Sequence, residues 1–470
     1  MSKAHFGMIG LGTMGRNFLL NIAEHGISGV GFDLDAAKRD LLLKEGAGMP
    51  VDVGADLADF LGKLESPRNI MLLVPAGPIV DKVIADLVPH LDPDDLIIDG
   101  GNSHFTDTDR RITDLEAKGV GFMGIGVSGG EEGARHGASI MPGGRRDHYG
   151  RIETTLQAVS AKVNGEPCVA YMGASSAGHF VKMVHNGIEY GMMQLLAETF
   201  DFMQRVLRMA NTEMHRTFTE WNGGDLNSFL VEITAEVLRK VDPETGNPLV
   251  SMILDTAGQK GTGKWTSQAA MDFGVPIPTI DSAVTMRQIS SQKGTRKEVA
   301  AKYAGMSTSA DQSHSRTSVG ELEDALFCAF ILTYAQGMSL LQKASEEKGF
   351  GLDLAEIARI WRGGCIIRSK LLESIRRAYS SGHNIESLLL DKGISDMLNS
   401  RAGSLRKTVV AFNENGIPSA CFSSALAYFD AFRTTRLPAN LIQAQRDFFG
   451  AHTYQRVDKE GTFHTDDWES

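Results

Sequence analysis

The sequence predicts an α/β domain built on a doubly wound parallel sheet, followed by a larger all-helical domain and a C-terminal tail. Three observations carry that prediction. A short apolar strand pattern, His5 to Ile9, runs into Gly10-Leu11-Gly12-Thr13-Met14-Gly15. Apolar strand patterns and helical stretches then alternate to about residue 177. Beyond that point helical periodicity dominates to about residue 435. The expected units are residues 1–177, 178–435 and 436–470.

The chain has 470 residues, too many for one ordinary hydrophobic core. A hydrophobic content of 42% and a charged content of 22% are those of a globular protein. The net charge of −11 argues against nucleic acid or an anionic membrane as a general partner, though not against a local basic site for a small anion. The N-terminus enters a strand pattern without the regions of a secretory leader, and no apolar run approaches a membrane span. The four cysteines, Cys168, Cys328, Cys365 and Cys421, lack metal-ligand spacing and read as buried free thiols, so the expected location is cytoplasmic.

The helix after the glycine motif should bury Phe18, Leu19, Ile22 and Ala23 and stop at Gly26. A second strand, Ser-Gly-Val-Gly-Phe, ends at Asp33. Glycines at a strand-to-helix turn with an acid about 20 residues on form the Rossmann-type dinucleotide fingerprint. The cofactor contacts expected from it are Gly10, Gly12, Thr13, Met14, Gly15, Asp33 and Leu34, with Val74, Ala76 and Asn102 at later strand ends. Further strands are expected at Ile70–Val74, Leu96–Asp99, Val120–Ile125 and Cys168–Met172. A carboxylate at Asp33 suits the adenosine ribose hydroxyls and repels a 2′-phosphate. Leu34 follows it in place of a basic residue, so these residues favour NAD over NADP.

Gly178 to Tyr190 reads as a helix with Lys182, His185, Asn186 and Glu189 on one face. Val181, Val184 and Ile188 take the other side. Lys182 and Glu189 fall about 10 Å apart along the axis, from the rise of about 1.5 Å per residue. A base and an acid at that spacing suit different atoms of one elongated substrate, whereas a solvated polar face is the ordinary alternative. The apolar flanks, including Phe180, Met192, Met193, Leu195 and Leu196, favour a lined pocket.

Ile97 to Ser103 and Val127-Ser128-Gly129-Gly130 lie at strand ends, where doubly wound sheets bind ligands. Gly258 to Lys264 matches G-x-x-x-x-G-K, but Trp265 replaces the Ser or Thr a nucleotide loop needs, so a nucleoside triphosphatase is rejected. A glycine-rich loop with Lys260 remains a cradle for an anion, with Arg287 as a second cation. Trp221-Asn222-Gly223-Gly224 recurs as Trp361-Arg362-Gly363-Gly364, which suggests an internal duplication of a helical unit. Together these parts describe hydride transfer from an alcohol, with Lys182 taking the hydroxyl proton. If the product is a β-keto acid, it loses CO₂ and Glu189 can return a proton to carbon.

Five stretches, V-S-G-G-E-E-G-A-R (127–135), G-H-F-V-K-M-V-H-N-G-I-E-Y (178–190), E-W-N-G (220–223), G-T-G-K-W-T (261–266) and N-L-I-Q-A-Q-R-D-F-F-G-A-H-T-Y (440–454), resemble the decarboxylating 6-phosphogluconate dehydrogenase family over essentially the whole chain. The resemblance implies oxidation of 6-phosphogluconate at C3 with release of CO₂ and ribulose 5-phosphate in the pentose phosphate pathway, without a metal, by a cytoplasmic homodimer. It implies that Lys182 is the general base and Glu189 the general acid. It assigns substrate contacts to Asn102, Ser128, Gly129, Gly130, His185, Asn186 and Tyr190, and the phosphate end to Lys260, Thr262 and Arg287. Arg446 and His452 would come from the second subunit.

Six positions depart from the family pattern. Asp33-Leu34-Asp35 replaces the Asn-Arg-Ser/Thr that grips the 2′-phosphate of NADP, and Pro75 replaces a lysine. Met192 and His136 replace an acidic residue and a tyrosine. Two alternatives remain: a related β-hydroxyacid dehydrogenase for a small unphosphorylated acid, and a non-catalytic dinucleotide-binding sensor.

Overall fold

The computed structural model describes residues 3–304, 317–380 and 385–468. A seven-stranded sheet has the order β3-β2-β1-β4-β5-β6-β7. Its strands are β1 (Phe6–Ile9), β2 (Gly29–Phe32), β3 (Val51–Val53), β4 (Asn69–Leu72), β5 (Leu96–Asp99), β6 (Gly121–Ser128) and β7 (Ser139–Gly144). The first six run parallel and β7 is antiparallel to β6. Helices α1 (Thr13–Glu24), α2 (Ala36–Glu45), α3 (Leu57–Gly62), α4 (Pro78–Leu87), α5 (Phe105–Glu116), α6 (Gly130–His136) and α7 (Arg146–Val159) connect the strands. Chain direction through the order reverses between β1 and β4, and the crevice at their carboxyl ends is where such sheets bind ligands.

The Rossmann-type reading of the first domain therefore holds, and α1 buries Phe18, Leu19, Ile22 and Ala23 as expected. Two details differ. Strand β7 was not anticipated; its Met-Pro-Gly-Gly run lacks an alternating pattern because both its faces are covered. The strand expected at Cys168–Met172 is not formed. The segment instead meets β7 at single points, with Ile140 N–H donating to the Cys168 carbonyl and Met172 N–H to the Pro142 carbonyl. A small hairpin, β8 (Lys162–Val163) with β9 (Glu166–Pro167), precedes it.

The helical part comprises α8 (Ala177–Arg205), α9 (Asn211–Asn222), α10 (Phe229–Arg239), α11 (Leu249–Met252), α12 (Thr262–Asp272), α13 (Pro278–Ser291) and α14 (Lys293–Lys302). It continues with α15 (Val319–Lys348), α16 (Leu354–Ile360), α17 (Leu371–Ser380), α18 (Lys392–Glu414), α19 (Ala420–Phe432) and α20 (Ala439–Gly450). Helices α8 and α15, of 29 and 30 residues, pack together through its core. Each precedes a shorter helix that leads into one of the two Trp-x-Gly-Gly motifs. Helix α15 starts at a reciprocal cap between Ser318 and Glu321. It corrects the expectation of no membrane-length apolar run: its length and composition would suffice to cross a bilayer, but 89% of its most apolar window is buried. It is a core helix, apolar all round because protein surrounds it.

The two parts are joined by a close crossing. The first turns of α8 lie directly on β6 and β7, and glycines make the contact. A Cβ added at Gly178 would stand 2.3 Å from the Met141 carbonyl oxygen and 2.4 Å from that of Gly124; one added at Gly126 would meet the Lys182 Cβ at 2.4 Å. Thr108 and His179 bind each other at 2.6 Å, and the second ring nitrogen of His179 lies 3.1 Å from the Asp99 carbonyl, which pins α8 to the end of β5. Gly178→Ala should therefore force α8 off the sheet at a cost of at least about 1–3 kcal/mol, the usual range for overpacking. Thermal unfolding checks this, and an unchanged midpoint would refute the contact.

Candidate active site

Lys182 sits one turn beyond this crossing, and its placement follows from it. Its ammonium donates to Ser128 Oγ at 3.1 Å, at the carboxyl end of β6. His185 lies 3.4 Å from the same hydroxyl through Nε2 and 3.5 Å from Lys182 Nζ through Nδ1. Asn186 Oδ1 is 3.2 Å from His185 Nδ1, and Glu189 approaches that nitrogen at 3.9 Å. Lys182, His185 and Asn186 are all buried, so the stripe is not a solvated surface. Glu189 retains 21% side-chain exposure. Val181, Val184 and Ile188 fill the helical core on the opposite face.

Burial favours the neutral form of each ionisable group here. It pushes the Lys182 ammonium below its ordinary range, against the attraction of Glu189. The neighbouring His185 is driven well below its ordinary range by burial, and Lys182 adds to that. Glu189 is raised by burial, with Lys182 and Arg287 pulling the other way. A lysine eased toward its free base and a carboxyl eased toward its acid thus stand on one face of one helix.

The loop expected to hold the phosphate lies beside Tyr190. Helix α12 begins at Thr262, after Gly261 in the left-handed region, so the glycine-rich loop leads into a helix N-terminus. That helix lies tightly on α8: a Cβ at Gly263 would meet the Tyr190 ring at 2.5 Å, and Thr266 Oγ1 donates to the Met183 carbonyl at 2.8 Å. Arg287, on α13, stacks its guanidinium 3.9 Å over the Tyr190 ring and donates to the Gly258 carbonyl at 2.7 Å. It makes no ion pair with a described carboxylate, although its charge is felt by Glu189. Lys260 is exposed on the same loop and Thr262 is buried at its base.

Ser128, Gly129 and Gly130 form the turn from β6 into α6, with both glycines at positive φ. A Cβ at Gly129 would stand 2.6 Å from the Gly364 carbonyl, so the second Trp-x-Gly-Gly motif packs under this turn, and Trp361 meets His185 edge-on at 5.5 Å. Asn102 is exposed on the loop after β5. That loop is held by buried Asp99, which accepts from Ser103 Oγ at 2.6 Å and the Gly101 N–H at 3.0 Å and pairs with Arg111 at 3.2 Å. Arg111 also reaches Asp81 at 2.8 Å. His179, Arg111 and Trp361 were not singled out as site residues. No spacing rule relates Arg111 to Asp99 or Trp361 to His185; only the fold brings them together.

The dinucleotide cleft is a cavity of about 540 Å³ at the switch between β1 and β4, lined by Gly10, Gly12, Asp33, Leu34, Val74 and Pro75 among others. It fits a dinucleotide on its own geometry. Gly10 has φ of 94° in a tight turn, Gly12 has open space where a Cβ would be, and a Cβ on Gly15 would strike the Gly10 carbonyl at 1.9 Å. Thr13 and Met14 open α1 at the same turn, and Ala76 is exposed beyond Val74. Asp33 accepts the Leu11 N–H at 2.8 Å, Lys38 lies 3.4 Å from its carboxylate, and Arg39 donates to its backbone carbonyl. Leu34 is 89% exposed at the rim.

Arg446 and His452 are not brought to this site within one chain. Their contacts lie in the tail itself, Arg446 to Gln443 and His452 against Phe449. Met192 is fully buried in the helical core, where a thioether avoids the desolvation a carboxylate would suffer. His136 is exposed at the end of α6, 3.8 Å from Glu132.

Comparison with known proteins matches residues 178–468 to the model described as 6-phosphogluconate dehydrogenase, C-terminal domain, and residues 5–173 to the NAD binding domain of 6-phosphogluconate dehydrogenase. The chain is similar to the NADP(+)-dependent, decarboxylating 6-phosphogluconate dehydrogenase of Bacillus subtilis, at 48% identity over 99% of both chains. It is 46% identical to the decarboxylating enzyme of Rattus norvegicus over 100% of this chain and 97% of that one. Among solved structures it resembles Plasmodium falciparum 6-phosphogluconate dehydrogenase, with a TM-score of 0.93, 42% identity and coverage of 98% of this chain and 99% of that one.

Gly15→Ala should weaken binding of either nicotinamide dinucleotide by more than about tenfold, because α1 must move away from the phosphate turn. Fluorescence titration measures it, and wild-type affinity would refute the close-packing role.

Proposed function

From a chain that belongs to the 6-phosphogluconate dehydrogenase family, we propose a mechanism in which Lys182 and Glu189 divide the proton transfers between them. The reaction is the oxidative decarboxylation of 6-phosphogluconate to ribulose 5-phosphate and CO₂, a step of the pentose phosphate pathway, with a nicotinamide dinucleotide as cofactor. The single observation that carries the assignment is the cluster of buried Ser128, Lys182 and His185 with the part-exposed Glu189, which sets base and acid on one helix face.

The bound cofactor supplies the hydride acceptor. Lys182, eased toward its neutral form by burial, takes the proton from the C3 hydroxyl, and Ser128 orients its ammonium. The 3-keto acid then loses its carboxylate as CO₂. Glu189, whose carboxyl burial eases toward its acid form, delivers a proton to C1 of the enediol. Asn102, Gly129, Gly130, His185 and Asn186 hold the hydroxyls and carboxylate. Lys260, Thr262, the α12 N-terminus and Arg287 receive the phosphate, with Tyr190 backing Arg287. A small unphosphorylated β-hydroxyacid would leave that cradle without a partner.

The same reading makes the working form a homodimer in which the partner's tail donates Arg446 and His452. It is supported by exposed apolar residues on α20 and beyond, Leu441, Ile442, Phe448 and Phe449 among them. It also places the enzyme in the cytoplasm, in keeping with four buried cysteines that are all free.

Within the coarser choice of dinucleotide, NAD is the preferred cofactor. A 2′-phosphate would meet the Asp33 carboxylate and the uncharged Leu34 side chain at the adenosine end. Lys38 and Arg39 are already engaged with Asp33. The NADP+ dependence named for the Bacillus relative belongs to that chain.

Three outcomes test these statements. Lys182→Ala and Glu189→Ala should each lower kcat by about 10²–10⁴-fold with 6-phosphogluconate, the usual contribution of a general acid or base. Wild-type turnover, or release of CO₂ with 3-hydroxyisobutyrate instead, would sink the assignment. Because the base works deprotonated and the acid protonated, kcat/KM should rise with pH through the lowered lysine pKa and fall through the raised glutamate pKa. The resulting bell belongs to the coupled pair, and a flat profile would contradict it. Finally, kcat/KM should favour NAD+ over NADP+ by about tenfold or more, from like-charge repulsion at Asp33, and Leu34→Arg should narrow that ratio. A wild-type preference for NADP+ overturns the cofactor choice.

A further inference from the structure

The tail contains a buried charge that the reaction does not use. Asp447, on α20, has no solvent exposure, although its neighbours Phe448 and Phe449 are largely exposed. Its carboxylate accepts four N–H groups. Oδ1 takes the Thr453 backbone N–H and His464 Nδ1, each at 2.9 Å. Oδ2 takes the Thr465 backbone N–H at 3.0 Å and the Trp468 indole at 3.2 Å. A carboxylate satisfied in this way is a centre around which chain folds, since each donor left behind would be unpaired.

The donors come from both sides of a chain reversal. Thr453 follows the end of α20, whereas His464, Thr465 and Trp468 return after the pairing of Tyr454 with Phe463, whose backbone groups exchange two bonds of 2.8 Å. Tyr454 Oη lies 2.7 Å from Thr465 Oγ1. His452 stands between Ala451 and Thr453, two non-glycine residues at φ of 49° and 59°. Such conformations persist only where surrounding contacts impose them. Here Asp447 supplies both contacts: its carbonyl accepts the Ala451 N–H at 2.9 Å and its side chain accepts that of Thr453. Gln443 completes the link, donating to the Thr453 carbonyl at 2.6 Å and accepting from Arg446 at 3.2 Å. Helix α20 packs on no other described element beyond occasional contacts, so this order is internal to the tail.

We propose that Asp447 is a positioning residue that folds the tail, before it docks, into a cap presenting Arg446 and His452 as one rigid unit. The proposal rests on the reading that the tail completes the partner's site. A prefolded cap loses less conformational freedom on docking than a free terminus, and the two side chains arrive at a set separation.

The test uses the full-length dimer. Asp447→Asn should raise KM for 6-phosphogluconate by about tenfold or more, leave KM for the dinucleotide within about twofold, and speed tryptic cutting within residues 446–459. A merely structural defect would lower the amount of active dimer without separating the two KM values. Wild-type KM and protease resistance overturn the proposal. If Asp447→Asn fails to assemble, Trp468→Phe, which removes one donor, should show the same separation in smaller degree, and a wild-type KM there overturns it equally. Heterodimers of Asp447→Asn with Lys182→Ala distinguish this proposal from the shared site. They contain one intact Lys182 facing one intact tail, so KM should return to the wild-type value. A KM that stays raised would show the tail acting on its own subunit, which defeats the shared site and leaves the role of Asp447 standing.

Discussion

The contact between the start of α8 and strands β6 and β7 is the constraint on which the rest of the site depends. Backbone meets backbone there, at Gly178 against the carbonyls of Met141 and Gly124, with no room for a side chain. Because a helix is rigid over a few turns, fixing this end also fixes Lys182 against Ser128, then His185, Asn186 and Glu189 along one face. The His179 bonds to Thr108 and to the Asp99 carbonyl set the rotation of the helix about its axis. A face carried on a loop would lack that precision. Here the sheet and α8 meet backbone to backbone, and the side chains proposed to react follow from that contact.

Burial is the second governing effect, and it acts in one direction on three neighbours. Lys182, His185 and Glu189 are each pushed toward their uncharged forms. Coulombic attraction between the lysine and the glutamate opposes this but is the smaller influence on each. That shared direction is what the proposed proton transfers between Lys182 and Glu189 would need. The loop proposed to receive the phosphate is organised differently. There Arg287 is stacked on Tyr190 and tied to the Gly258 carbonyl, beside a helix N-terminus. The proposed proton-transfer groups and the proposed phosphate loop thus lie about two helical turns apart along α8, from Lys182 to Tyr190.

Much of this was legible in the residues because the relevant physics is local. The glycines of the first turn, the stripe from Lys182 to Glu189 and the glycine-rich loop before Thr262 each depend on spacing within one element. Other features were not. Strand β7 escaped notice because burial on both faces removes the alternation that marks a strand. The segment Cys168–Met172 is apolar enough for a strand but touches β7 only at intervals. Helix α15 hid its length behind a composition that suits membrane and core alike. Arg111 under Asp99 and Trp361 against His185 are meetings of residues far apart in the chain, and no pattern within either segment encodes the other.

By itself, then, the sequence determined the Rossmann-type start, the helical continuation, the shared face of Lys182, His185, Asn186 and Glu189, and the family. Each is written in short-range periodicity or in contiguous motifs. The tertiary structure decided which groups are dry, and hence the direction in which Lys182 and Glu189 titrate, because desolvation is a property of everything packed around a side chain. It also decided that Arg446 and His452 stand apart from their own chain's site, held in a tail ordered around Asp447. Sequence order cannot convey that separation, since it depends on where a carboxylate finds its four donors once the chain has turned back on itself.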